Sequence, residues 1–288
     1  MHSLAIILVN YNGLNDTIDC IKSLQESNYP VKIFVVDNAS KEDETIQLAK
    51  LFADVSFIRS VQNLGFAGGN NLAIKVALEE NFDYIALLNN DTIVLKDTFK
   101  NLMEMADAET VVAPVMNYYS HPQEAWFSGG FINRWTGNAK HLRNGFSSTT
   151  LNISFATGCC FVAHKSIWKK TGLLDDEYFM YNEDEDFCIR LMLNDFKIKV
   201  VKSALIYHKV GKSCGGEISR FQIYYMSRNR IRVIRKFPHY FHWTALPFTI
   251  ITRFLWMVKF LIQRKKDWIY FYRGIRDGIK GIGGEIEL

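Results

Sequence analysis

Apolar and polar residues come in alternating blocks over the first 115 positions. Leu4–Val9 is a continuous apolar run, as expected of a strand buried on both faces, and it stops at Asn10-Tyr11-Asn12-Gly13. Leu14, Ile18, Ile21 and Leu24 then recur at helical spacing and predict a helix to about Ser27. After Pro30, Lys32–Val36 predicts a second strand, ending in Asp37-Asn38-Ala39-Ser40. A charged helix over Glu42–Phe52 leads to a third strand at Val55–Ile58. The stretch Gln62–Asn71, with Gly65, Gly68 and Gly69, opens a helix to about Glu80. Tyr84–Leu88 is a fourth apolar run, cut off by Asn89-Asn90-Asp91. Strands and helices alternating through short connections predict a mostly parallel, doubly wound α/β sheet. Its polar loops Asn10–Gly13, Asp37–Ser40 and Asn89–Asp91 should share the edge where open sheets bind ligands.

Beyond a helix at Thr98–Ala106 and a strand at Val111–Val115 the pattern loosens. Trp126–Phe131 and Ile153–Val162 predict strands around a loop over Thr136–Thr150, rich in Gly, Asn and Ser, of the length that carries function or mobility. A helix is expected to begin at Glu183-Asp184-Glu185-Asp186, with Phe187, Leu191 and Leu193 compatible with one buried face. Lys197–Val201 predicts a strand, Ile206–Ser213 a loop, and from about Ser219 the chain is helical and basic. We divide it into a regular α/β part at 1–115, a looser part at 116–232, and an amphipathic helical tail at 233–288.

Charge changes this picture at one end. Residues 228–288 hold 13 Lys/Arg against 4 Asp/Glu, net +9, whereas residues 1–227 carry net −5, so the tail is expected to meet something anionic. Trp243–Ile262 is mostly apolar but includes Pro247, Arg253 and Lys259. A central Arg or Lys costs about 2.5–3.5 kcal/mol on insertion, which argues against a span. Thr249, Thr252, Arg253, Lys259, Gln263 and Lys266 fall on one narrow helical stripe. With Arg264, Lys265, Lys266, Trp256, Trp268 and Tyr270 nearby, this describes a helix lying in a membrane interface. The alternative is a helix packed on the domain, or on a second copy of the chain as a homodimer. Five cysteines, an odd number without a C-x-x-C pair, and an amino terminus lacking a basic region fit a cytoplasmic body on the inner face of the membrane.

Each polar cluster has two readings. Asp37 could accept from a nucleobase or ribose, or make a turn with Ser40. Asn89-Asn90-Asp91 could deliver a carboxylate to a cation, or simply turn the chain. The acidic cluster at 183–186 could be catalytic, or a favourable charge at a helix start. Asp186 and Arg190, at i,i+4, look like a structural ion pair, and a lone His208 is commonly a packing residue. Gly211-Lys212-Ser213 is not a P-loop, because the earlier glycine would fall at Ile206, and no dinucleotide fingerprint follows the first strand.

Taken in order, Val9-Asn10-Tyr11-Asn12-Gly13, Val36–Ser40, Asn63-x-Gly65-Phe66-Ala67-Gly68-Gly69-Asn70, Leu88–Asp91, Thr157-Gly158-Cys159-Cys160, Glu183-Asp184-x-Asp186-x-Cys188-x-Arg190 and His208-x-x-Gly211-x-Ser213 resemble the family 2 inverting glycosyltransferases, in their bacterial rhamnosyltransferase-like branch. The resemblance covers about residues 3–232 and implies a GT-A fold, with 1–115 its nucleotide-sugar-binding half and 116–232 its acceptor-binding and catalytic half. It implies a donor site for a nucleoside-diphosphate sugar, of the dTDP-rhamnose or UDP-hexose type, at Asn10, Asn12, Asp37, Asn63, Gly65, Phe66, Gly69, Asn70, Asn90 and Asp91. Mg2+ or Mn2+ would sit at Asp91 and His208, with Asn89 standing where the family's D-x-D begins with Asp. Asp184 takes the catalytic-base position with Glu183 beside it, and Gly158 and Cys159 lie where a glycan or polyprenyl-linked acceptor approaches. Two other classes compete. A sugar nucleotidyltransferase would need a basic loop after the first strand, and Asn10–Asp16 has no Lys or Arg. A non-catalytic sugar-nucleotide or polysaccharide-binding module would not need Asp184. No nucleic-acid motif accompanies the basic tail.

Overall fold

The computed structural model describes residues 1–210, 219–263 and 265–286. Gly211, Lys212, Ser213, Cys214 and Arg264, which figured in the readings above, lie outside the described residues. The first half runs β1 (Leu4–Asn10), α1 (Leu14–Gln25), β2 (Lys32–Asn38), α2 (Glu44–Leu51), β3 (Ser56–Ser60), α3 (Gly65–Glu79), β4 (Tyr84–Leu88), β5 (Thr92–Val94), α4 (Thr98–Met103) and β6 (Thr110–Tyr118). The second half runs β7 (Ala125–Phe127), β8 (Gly130–Ile132), β9 (Ala139–His141), β10 (Thr150–Asn152), β11 (Cys160–His164), α5 (Lys165–Thr171), α6 (Glu183–Leu193), β12 (Lys197–His208), α7 (Arg220–Lys236), α8 (Ala245–Ile262) and α9 (Trp268–Lys280).

One sheet organises the chain, in the order β10-β12-β6-β11-β4-β1-β2-β3, with β5 on β12 and β7 on β6. β4, β1, β2 and β3 are parallel neighbours, and β6 pairs parallel with β12. β11 runs antiparallel between β4 and β6. β1, β2 and β4 are buried along nearly their whole length, as strands covered on both faces are, and every residue of β4 is buried. The main hydrophobic core draws on residues from Leu4 to Ala245, so both halves of the chain build it, and two small clusters lie under the C-terminal helices.

Several elements differ from the sequence expectation, among them β5, which is not expected from the sequence, and β9, which lies within the expected loop over Thr136–Thr150. The strand expected over Ile153–Val162 begins only at Cys160, and residues 153–159 instead form the irregular wall in front of the sheet. The stretch Trp126–Phe131 is divided between β7 and β8, because Gly129, at φ +124°, breaks the run. β12 is longer than Lys197–Val201 and carries through to His208, past a register shift between Val201 and Leu205. That bulge resets the inside–outside alternation, which is why the pattern breaks at Lys202-Ser203 although the strand does not.

The C-terminal helices are less separate than the sequence implies. α9 packs on α7 at Gly274 and Gly278: a methyl at Gly274 would lie 2.8 Å from both the Ser227 Cβ and the Tyr224 carbonyl oxygen. Asp277, 1% exposed, accepts from the Tyr224 hydroxyl at 3.0 Å. Much of the basic charge is consumed internally, with Arg232 on Glu177 and Lys236 on Asp175 and Asp186. α8 presents the opposite arrangement. Its Thr249 faces inward, donating to the Thr136 carbonyl, while Ile251, Phe254, Leu255 and Ile262 are exposed. By length and composition α8 could cross a membrane, with a mean hydropathy of 1.6, and only 17% of it is buried.

Candidate active site

The polar loops converge on a cavity of about 690 Å³ in front of the strand ends. Asn63, Gly65, Phe66, Asn90, Asp91, Gly158, Cys159, Glu183, Asp184 and His208 all line it. The chain brings Asp91 and His208 together through the antiparallel pairing of β5 with β12, in which His208 faces Thr92. Asp91 Oδ1 lies 3.2 Å from His208 Nε2. The approach lacks hydrogen-bond alignment, however, and Asp91 Oδ1 and His208 Nδ1 are buried without a hydrogen-bond partner. The unpartnered Asp91 Oδ1 and the His208 Nε2 that faces it put one oxygen and one nitrogen donor at the same point, a set that fits a divalent cation of the Mg2+ or Mn2+ kind. Among the described residues no cluster of three His, Cys, Asp or Glu side chains could hold a metal, so a cation here takes most of its ligands from elsewhere.

In the same cavity, Asp184 sits in the first turn of α6, partly exposed. Its Oδ2 accepts from the Gly158 N–H at 3.0 Å and its Oδ1 from the Glu185 N–H at 2.9 Å. Burial raises its pKa, and those two N–H groups pull it back. Glu183 is 5% exposed, and its Oε2 has no hydrogen-bond partner. Burial first, and the adjoining Asp184 carboxylate second, lift its pKa well above the ordinary range. Glu185 is different again: it pairs with Arg230 and accepts from Asn182 at 2.8 Å, yet burial still pushes it up to about 7. All three line the cavity, and Asp184 is the most exposed of them and the one whose charge is supported by two backbone donors.

Five of the expected donor residues do not line the cavity. Asn10 is fully buried: its Nδ2 donates to Asp37 and Glu44 and its Oδ1 accepts from Thr17 and Asn90, so it braces the strand ends from behind. Asp37 is likewise 0% exposed, with Oδ1 taken by Ser40 and Asn10 and Oδ2 by Arg59 at 3.1 Å. Asn12, at φ 53°, caps the neighbouring loop by accepting from the Lys41 N–H. Gly69 is a packing position, where a methyl would press on Val9 at 3.0 Å, and Asn70 donates back to the Phe66 carbonyl within α3. Gly65 is different, since it faces the cavity at φ +68° against the Phe179 carbonyl, a conformation and a space that admit no side chain.

Sequence reasoning missed part of the wall. Trp126, His141, Phe155, Met180, Tyr181, Gln222, Met226 and Arg230 also line it. Trp126 stands edge-on to both His141 and His208, with ring centroids at 4.8 and 4.5 Å. A signal was present in Arg230, a charge on the buried side of a helix, but the basic run around it obscured that position.

A mostly parallel sheet bearing a carboxylate–imidazole pair at its strand ends, with a buried acidic helix start lining the same cavity, defines a nucleotide-sugar glycosyltransferase of GT-A type. Residues 5–172 match the family model described as Glycosyl transferase family 2, more than half of the chain, and the protein belongs to that family. It is 27% identical over 279 residues to the low-salt glycan biosynthesis hexosyltransferase Agl10 of Haloferax volcanii, covering 93% of this chain and 88% of that one. It is 23% identical to the dTDP-rhamnosyl transferase RfbF of Shigella flexneri, covering 96% of each. Among solved structures, the mannosyltransferase PcManGT from Pyrobaculum calidifontis, in complex with GDP-Man and Mn2+, superimposes with a TM-score of 0.61 at 12% identity, over 96% of this chain and 87% of that chain. GalNAc-T7 with UDP, GalNAc and Mn2+ gives 0.65 at 14% identity, over 98% of this chain but 56% of that longer one.

Proposed function

We propose that the protein transfers a sugar, with inversion, from a nucleoside-diphosphate sugar of the dTDP-rhamnose or UDP-hexose type to a hydroxyl of a glycan or lipid-linked acceptor in cell-surface polysaccharide synthesis. The donor lies against Asn63, Gly65, Phe66 and Asn90, in the part of the chain before residue 116, and the acceptor enters past Gly158 and Cys159. Asp37 and Asn10 act from behind, holding the loops that meet the nucleotide. Bound at Asp91 and His208, Mg2+ or Mn2+ would supply counter-charge to the departing diphosphate. Asp184 takes the acceptor proton as that hydroxyl attacks the anomeric carbon, with Glu183 beside it. The exposed apolar face of α8, with Lys259, Lys265 and Lys266 around it, rests on the cytoplasmic leaflet, where lipid-linked acceptors are presented.

The observation that carries this reading is one cavity lined by both Asp184 and the Asp91–His208 pair. Asp184→Asn is the test. Asn fills the same space, so nucleoside-diphosphate binding should persist while transfer falls by about 10²–10⁴-fold, the usual loss with a general base. Transfer at near wild-type rate would remove Asp184 from the role. A larger loss in Glu183→Gln than in Asp184→Asn would move the role to Glu183.

A further inference from the structure

The segment before α6 has an uncommon backbone. Phe179, Tyr181 and Asn182 all adopt positive φ, at 61°, 68° and 72°, without a glycine among them. L-residues rarely adopt this region, so something outside the segment must hold it there. Met180, Tyr181 and Asn182 line the cavity, and the next two residues are Glu183 and Asp184.

The holder is in α7. The Asn229 side-chain amide donates to the carbonyls of Tyr178, Met180 and Tyr181, at 2.9, 2.8 and 2.8 Å. An amide NH2 has two hydrogens for three acceptors, so one is shared, and the three carbonyls are drawn to one point. Arg228 decides which way that amide faces: its Nε donates to Asn229 Oδ1 at 2.8 Å, leaving Nδ2 toward the segment. Arg228 Nη2 adds a bond to the Tyr178 carbonyl at 2.9 Å, and Nη1 donates to the Gly284 carbonyl at 2.7 Å. Both residues are 0% exposed, and neither lines the cavity. From the other side, the Phe66 N–H donates to the Phe179 carbonyl at 2.7 Å, tying the segment to the donor wall.

We propose that Asn229, aimed by Arg228, is a positioning residue that sets the start of α6 and so the place of the Asp184 carboxylate, an inference resting on Asp184 as the base. Without Asn229 the three carbonyls lose their common donor, and Tyr181 and Asn182 relax toward negative φ. That rotation swings the first turn of α6 and takes Asp184 off the Gly158 N–H. The rest of α6 has its own anchors, since Asp186 pairs with Arg190 and Lys236 and accepts from the Tyr178 hydroxyl. The effect is therefore local to the first turn.

A cycle of Asn229→Ala and Asp184→Asn in the full chain tests this. Asn229→Ala alone should lower kcat by about tenfold to a hundredfold, the cost of a misplaced catalytic group. Donor KM and nucleoside-diphosphate affinity should stay within about threefold. In the Asp184→Asn background, Asn229→Ala should cost less than about threefold further, because the group it positions is already gone. An equal loss in both backgrounds, or an unchanged kcat in Asn229→Ala, overturns the inference. If Asn229→Ala does not fold, Asn229→Asp serves in the same cycle: it keeps the acceptor for Arg228 but turns an oxygen on the three carbonyls. Near wild-type transfer by Asp184→Asn alone overturns the base assignment and this inference with it, whereas a damaging Asp184→Asn with additive Asn229 effects overturns the positioning alone.

Discussion

Gly274→Ala probes whether α9 is part of the folded body. In an exposed helix, Gly→Ala gains about 1 kcal/mol from helix propensity. Here the new methyl would stand 2.8 Å from the Ser227 Cβ and from the Tyr224 carbonyl oxygen, and 3.3 Å from the Arg228 nitrogen. Backbone atoms and a Cβ cannot swing aside, so α7 and α9 must part by about 0.7 Å to reach ordinary contact. Overpacking of that kind costs roughly 1–3 kcal/mol, so the propensity gain is cancelled and the net is a loss of up to about 2 kcal/mol. For a domain of this size, that lowers Tm by up to about 4–8 °C. Gly278→Ala meets the Arg228 carbonyl oxygen at 2.8 Å and should behave alike. The double variant should cost less than the sum, since one separation of the helices makes room for both methyls. Gly145→Ala, with nothing within 4 Å, is the control and should shift stability by less than about 0.5 kcal/mol. Thermal and denaturant unfolding of the four variants measure this. If Gly274→Ala and Gly278→Ala each raise stability as exposed helix positions would, α9 is not seated on α7 and the reasoning fails.

Three further outcomes follow from the site and the tail. Asp91→Ala should weaken nucleoside-diphosphate binding by about tenfold or more, the worth of one charge-assisted contact; chelation should do the same to the wild type, and calorimetry showing neither effect would take the metal out of the account. Glu183 has a folded-state pKa raised above its ordinary 4.5, so its favourable contribution is complete below that pH and is lost as pH climbs through the folded value. Glu183→Gln should therefore melt above the wild type at pH 8, with the gap closing toward pH 4.5, and a gap that grows in acid would reverse the sign. Replacing Phe254 and Leu255, 51% and 59% exposed, by Glu should abolish flotation with anionic liposomes without lowering Tm. Equal flotation of variant and wild type would make the face a protein contact; deleting the whole tail is a poorer test, because α9 covers α7.

Legibility in the sequence followed burial. β1, β2 and β4 lie under helices on both faces, so their apolar runs are uninterrupted and stop abruptly where the site begins. Asn63, Asn90, Asp91, Asp184 and His208 could thus be placed at the cavity from strand ends and family spacing. Asn10 and Asp37 could not be separated from them, because a polar residue at a strand end looks the same whether it faces a ligand or braces a loop. Arg228, Asn229 and Arg230 were lost for a related reason: they sit among Arg232, Arg235 and Lys236, and composition alone reads the group as surface charge. Their partners are carbonyls and a carboxylate brought close only by the fold.

The register shift between Val201 and Leu205 divides β12 into two stretches of unequal tolerance. Upstream of it the strand answers to β6 and β10, and a residue gained or lost at Lys202-Ser203 can be absorbed where the ladder is already broken. Downstream, Leu205–His208 is a rigid ruler of period two against β5 and β6, with His208 at its end. One residue inserted after Leu205 turns the imidazole to the opposite face of the sheet and leaves Asp91 alone. Length variation in this strand should therefore be permitted within the shift and forbidden beyond it. Metal-dependent binding of a nucleoside diphosphate by two single-residue insertions, one between Lys202 and Ser203 and one after Leu205, would read that difference directly.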